Sequence, residues 1–168
     1  MPSNAIEMLT DDHHQVKAMF EEYEDLSGDD SRDDEKLTLV QQICHELTVH
    51  AQIEEELFYP AARKALDDED LIDEAVVEHA GIKDLIEELK AMEPSDDMFD
   101  AKVTVLKEYV EHHVKEEEEE LFPKAKKASD FDEDDIGAQL ADRKEELMAM
   151  AGAGARKASE PPRPGANR

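Results

Sequence analysis

The sequence predicts an all-α protein: an antiparallel up-down-up-down four-helix bundle with an additional C-terminal helix and a disordered tail. Three observations point there. Gly and Pro are scarce before residue 150, and no strand-like alternation interrupts the chain. Four long segments carry apolar residues at steps of three and four, the rhythm of one helix face, and short polar connections join them. The two halves also repeat one another, as a duplicated helical hairpin would. Residues 1–128 form the bundle in this reading, residues 129–151 an amphipathic helix packed on or near it, and residues 152–168 the tail.

The first helix opens at a Ser3 N-cap and runs to Leu26 through Ile6, Leu9, Val16, Phe20 and Tyr23. His13 fills the one long gap in that seam. Ser27-Gly28-Asp29-Asp30 ends the helix. A second begins near Glu35, and its seam passes from Val40, Ile43 and Leu47 into His50, Glu54 and Leu57. Pro60 has no backbone N–H, so a kink or break is expected there. The third helix carries Ile72, Ala75, His79, Ile82, Ile86 and Leu89, until Glu93-Pro94 stops it. Ser95 is the expected cap of the fourth, whose seam is Phe99, Val103, Leu106, Val110, His113 and Glu117, ending at Leu121-Phe122-Pro123. A fifth spans Asp134 to Met150 through Ile136, Leu140 and Leu147. From Gly152 onward, Ala, Gly and Pro dominate, the composition of a disordered segment.

Each long helix therefore puts one His on its apolar stripe, and the second and fourth add a Glu one turn later. Positions i and i+4 share a helix face, so His50-x-x-x-Glu54 and His113-x-x-x-Glu117 can each aim a nitrogen and a carboxylate at one point. A single seam His is most simply a hydrogen-bonded core residue. Four His and two Glu together would strand two carboxylates in a low dielectric, at several kcal/mol each. No Lys or Arg lies on these stripes to pair with them, and a bound cation removes the difficulty. His14 and His112 stand about 100° off the stripe, as flanking or exposed residues. His45 lies about 140° from His50, so the two do not chelate together. Glu118 is the alternative to Glu117, should the helix distort locally. Cys44 reads as a small core residue.

Composition narrows the partners. Against 46 acidic residues stand 19 Lys and Arg, a formal charge of −27, which opposes nucleic acid and anionic membranes as partners. The single Cys excludes an internal disulfide and suits a reducing compartment. Acidic residues throughout positions 1–26 argue against a secretory leader, so a cytoplasmic location is expected.

Imidazole and carboxylate without thiolate suit iron, manganese or zinc, and six ligands exceed the needs of one tetrahedral zinc. Two Glu that each bridge two metals would leave two His for each. The Glu-x-x-His motif of ferritin-like di-iron bundles is missing. The residues three before the histidines are Thr10, Asp11, Gln42, Leu47, Val76, Tyr109 and Val110.

Asp12-His13-x-x-Val16, His50-x-x-x-Glu54 leading to Leu57-Phe58-Tyr59-Pro60, Glu78-His79-x-x-Ile82, and His113-x-x-x-Glu117 leading to Leu121-Phe122-Pro123 resemble the hemerythrin-like, His-His-Glu cation-binding domain. The resemblance covers residues 3–128. It implies an oxo- or hydroxo-bridged pair of non-haem iron ions, rather than manganese or zinc, held by His13, His50, Glu54, His79, His113 and Glu117. Oxygen carriers of that family have a further His four residues before the third-helix ligand. Ala75 stands there instead, which argues against plain oxygen transport and for a more open metal. The function expected is binding, sensing or reacting with O2, NO or peroxide, with iron sensing or buffering without turnover as the alternative. Tyr59, Tyr109 and His112 are the residues near the motif able to act as acid or base. An acidic surface docking a basic protein partner is a third reading.

Overall fold

The fold was described from a computed structural model, which covers the backbone of residues 4–159 and the side chains of residues 4–150. All regular structure among these residues is helical, in five runs that form a bundle. Helix α1 (Ala5–Leu26) is capped by Asn4, whose side chain accepts the Glu7 N–H at 2.9 Å. The expected cap, Ser3, lies outside the described residues. Gly28, at φ 88°, turns the chain into a short 3-10 turn (Asp30–Arg32). The second run joins α2 (Asp33–Ile53), a π-helical turn (Glu54–Phe58) and α3 (Tyr59–Ala65). Helix α4 (Glu69–Lys90) follows, capped by Asp68. The fourth run joins α5 (Phe99–Glu116), a second π-helical turn (Glu117–Leu121) and α6 (Phe122–Lys127). Helix α7 (Glu133–Ser159) closes the chain.

One expectation is made specific and two change. The kink or break expected at Pro60 takes the form of a π-helical turn within a continuing helix, and Pro123 is preceded by the same feature. A regular turn would leave the carbonyl four residues earlier without a donor and press it against the proline ring. The wider π turn just before each proline accommodates both, and the backbone N–H of Tyr59 and of Phe122 instead reaches five residues back, to Glu54 and Glu117. Ser95 does not cap α5, which starts at Phe99; Asp96 accepts the Glu93 N–H within the preceding turn instead. Helix α7 runs past Met150 to Ser159, into the stretch expected to be tail, because its Ala, Arg and Lys are good helix formers. Residues 160–168, the rest of that expected tail, lie outside the described residues.

Helices α1 and α2 pack together, as do α4 and α5, matching the two predicted hairpins. Helix α7 packs on α1, α2 and the first π turn. The core has two parts. One gathers Leu9, Ile53, Phe58, Tyr59, Ile72, Ala75, Leu121 and Phe122 under Leu140 and Leu147 of α7. The other gathers Val16, Phe20, Leu47, Ile82, Val110 and the residues beyond them toward Leu26 and Leu89. On each of the first four helical runs the seam histidine falls between residues of one cluster and residues of the other. The polar residues thus form a single layer between two apolar ones.

Candidate metal centre

That layer holds His13, His50, Glu54, His79, His113 and Glu117, each at most 8% exposed. They fall into two groups of four. His13 and His50 join Glu54 and Glu117 in one; His79 and His113 join the same two carboxylates in the other. The nitrogen and oxygen atoms of each group lie within 4.8 Å of one another. All six residues expected from sequence are brought together, and both Glu are shared between the groups.

The four imidazoles present Nε2 to this layer. His50 Nε2 is 2.8 Å from Glu54 Oε1, His79 Nε2 3.5 Å from the same oxygen, and His13 Nε2 3.6 Å from Glu117 Oε2. His113 Nε2 contacts Glu117 Oε1, and His79 Nε2 and His113 Nε2 are 3.0 Å apart. Outer carboxylates take up three of the Nδ1 atoms. His50 Nδ1 pairs with Asp12 at 3.0 Å, His13 Nδ1 with Glu118 at 3.0 Å, and His113 Nδ1 with Glu78 at 3.4 Å. A carboxylate on Nδ1 holds the proton there and leaves Nε2 as the free donor, the arrangement that suits a metal-binding imidazole.

The inner atoms are poorly satisfied. His13 Nε2, His50 Nε2, both Glu54 oxygens and Glu117 Oε2 are buried without a hydrogen-bond partner among the described residues. The short approach of His50 to Glu54 lacks the alignment of a hydrogen bond. Each such atom costs about 1–3 kcal/mol, more when charged. Cations held by these groups would satisfy all of them, so the donor set fits metal binding. The electrostatics agree. Burial opposes a charge on His50, yet the Glu54 and Asp12 carboxylates push it up to about 10. Burial likewise opposes charge on Glu54, and His50 and His79 nonetheless hold its carboxyl well below the usual range. Without a cation, protons must neutralise this layer.

Tyr59, expected from sequence only as a residue able to act as acid or base, also belongs to the polar layer. Its hydroxyl donates to Glu117 Oε1 at 2.9 Å and lies 3.1 Å from His79 Nε2 and 3.3 Å from His113 Nε2. It therefore faces the second group, and Ala75, four residues before His79, shares its apolar cluster. A signal was present in the repeat: Tyr59-Pro60 aligns with Phe122-Pro123, and only the first copy carries a hydroxyl. Phe122 stacks on His13, with ring centres 5.8 Å apart, much as Tyr59 lies 5.3 Å from His79. Asp12 was missed as a site residue. It is buried, and its second oxygen accepts from Lys144 of α7 at 2.5 Å. Glu118 sits outside the layer, on His13 Nδ1. Tyr109 is 49% exposed and His112 lies at the surface. Cys44 is buried in the cluster that contains Val16, Leu47 and Ile82.

Beside the four imidazoles is a cavity of about 20 Å³, walled by Val16, Leu47, Ile82 and Val110. A space of that size holds one water-sized molecule.

The family model described as the hemerythrin HHE cation binding domain matches residues 4–125. A crystal structure of a hemerythrin HHE cation binding domain-containing protein from Mycobacterium kansasii is similar, with a TM-score of 0.75 and 25% identity over 92% of this chain and 93% of that one. A Nostoc sp. protein named as a DNA nickase is 34% identical over 120 residues. That match takes in 71% of this chain but only 32% of the relative's length.

Proposed function

Because this chain belongs to the hemerythrin HHE cation-binding domain family, we propose that it is a non-haem di-iron protein that binds, senses or reacts with O2, NO or peroxide. One observation carries the reading: two buried four-donor groups share both Glu54 and Glu117. His13 and His50 would hold one iron and His79 and His113 the other, with Glu54 and Glu117 available to both. In this reading the four long helical runs alternate up-down-up-down around the centre. When bound, an iron pair supplies reversible one- and two-electron chemistry toward small oxidants.

The chain's own residues set what reaches that centre. The apolar-walled cavity of about 20 Å³ beside the imidazoles has room for about one water-sized molecule, which supports a small ligand over a larger substrate. Tyr59 keeps its proton, because burial and the Glu54 and Glu117 carboxylates push it well above the ordinary phenol range. Its hydroxyl is thus a fixed donor at Glu117 Oε1, and an additional oxygen where the second group has no third imidazole. Asp12, Glu118 and Glu78 hold three imidazoles in position. Iron sensing or buffering without turnover is the second reading, and the fully buried donor layer favours it, since burial retains an ion.

The nickase activity named for the Nostoc relative is not carried over. This chain spans 32% of that protein, and its formal charge of −27 opposes a duplex. No helix among the described residues is long and apolar enough to cross a membrane. The lone buried Cys44 suits a cytoplasmic setting.

The test is anaerobic loading with ferrous iron, followed by iron analysis and addition of hydrogen peroxide. Two irons per chain are expected, and saturation at one would sink the dinuclear reading. Sustained peroxide consumption selects reaction; a single spectral change without consumption selects binding or sensing.

A further inference from the structure

A second set of metal-binding side chains lies outside the buried layer. Glu78, His112 and Glu116 bring donor atoms within 4.8 Å of one another at the junction of α4 and α5. His112 Nε2 is 3.1 Å from Glu116 Oε1 and 3.3 Å from Glu78 Oε2. Each of the three immediately precedes a residue of the buried layer: Glu78 before His79, His112 before His113, Glu116 before Glu117. His112-x-x-x-Glu116 therefore repeats the spacing of His113-x-x-x-Glu117, turned about 100° toward solvent.

Two further facts point to a cation. The Glu78 and Glu116 carboxylates bring oxygens within 4.8 Å of one another, and like charges at that range repel unless a cation or a proton lies between them. Glu78 Oε2 is moreover a buried atom without a hydrogen-bond partner. The triad opens into a groove of about 620 Å³ lined also by Asp70, Asp73 and Glu74, with no Lys or Arg among its lining residues. Glu78 connects this surface to the interior, because its other oxygen, Oε1, holds His113 Nδ1 at 3.4 Å.

We propose that Glu78, His112 and Glu116 form an exchangeable surface site for a hydrated divalent cation, and that this site lies on the loading path of the buried centre. One imidazole and two carboxylates suit ferrous iron, manganese or zinc, and solvent completes the shell of an ion held at the surface. The acidic groove concentrates cations at its mouth. The loading role rests on the di-iron reading above; the surface site itself does not.

The probe is Mn2+, titrated into iron-loaded, air-oxidised protein and followed by the electron paramagnetic resonance of the free ion, in salt sufficient to screen diffuse surface charge. One exchangeable Mn2+ per chain is expected. His112→Ala and Glu116→Gln should each weaken it about tenfold or more, while His14→Ala, at an exposed histidine elsewhere, should match the parent. A parent that binds no Mn2+, or variants that bind it equally well, would overturn the site. In the second arm, apoprotein takes up ferrous iron under anaerobic conditions. Both triad variants should load severalfold more slowly yet reach the parent's final iron content. Unchanged rates would overturn the loading role. The parent's final iron content reports on the buried centre separately, so the two readings fail independently.

Discussion

At the scale of single residues, a rotation of about 100° separates a layer histidine from its neighbour. His13 and His113 are buried with Nε2 inward, whereas His14 and His112 face solvent. His14→Ala and His112→Ala are therefore expected to retain two irons per chain at equilibrium, and His13→Ala and His113→Ala to lose at least one. Iron analysis after dialysis decides it, and the opposite pattern would place the wrong member of each pair in the layer. Tyr59→Phe removes one hydroxyl and little volume. Iron held by His79 and His113 should weaken about tenfold, read by chelator competition, with the fold retained by circular dichroism. An unchanged affinity would reduce Tyr59 to a packing residue. Cys44 supplies a check on the core. Burial pushes its thiol up to about 11, so little thiolate exists at pH 8. Alkylation should be slow in the native protein and fast in urea; equal rates would mean the apolar cluster around Cys44 opens readily.

At the scale of elements, the two π turns explain how the second and fourth runs serve the site. In a regular helix, residues five apart point about 140° away from each other. The wider turn brings Glu54 and Tyr59, five apart, onto one face, and does the same for Glu117 and Phe122. Each proline favours the wide turn because it cannot donate to the carbonyl four residues back. Pro60→Ala restores that donor and lets a regular turn compete. Tyr59 should then rotate away from Glu117. The expected outcome is weaker iron binding resembling that of Tyr59→Phe, with helix content unchanged. If Pro60→Ala binds iron as the parent does, packing alone holds the π turn.

At the scale of the whole molecule, a polar layer between two apolar clusters makes stability depend on what fills the layer. Ligands that bind only the folded state add stability as RT ln(1 + [L]/Kd), about 4 kcal/mol at a thousandfold excess over Kd. For a chain of this size that corresponds to a shift on the order of 10 °C in Tm. Chelator-stripped protein should melt lower by roughly that amount, and added ferrous iron under anaerobic conditions should restore it. Equal melting of the stripped and loaded forms would mean that protons satisfy the layer as well as metal does.

The sequence by itself determined which residues enter the layer. His13, His50, His79 and His113 each sit on a three- and four-residue seam, and Glu54 and Glu117 follow one turn later, so helical geometry alone places all six on inward faces. The fifth helix was legible for the same reason, through Ile136, Leu140 and Leu147. What lay off the stripe was not. Tyr59 is about 140° from Glu54 in a regular helix, and only the π turn that Pro60 favours brings its hydroxyl to Glu117. Asp12 meets the His50 Nδ1 that it holds, and Lys144 on its other oxygen, only when α2 and α7 pack on α1. Glu118, read from sequence as the alternative to Glu117, and Glu78, read only as part of the third-helix motif, each meet an imidazole Nδ1 on a neighbouring helix instead. Periodicity reports which way a side chain points within its own helix. Contacts between helices depend on how those helices pack, and local spacing does not encode that.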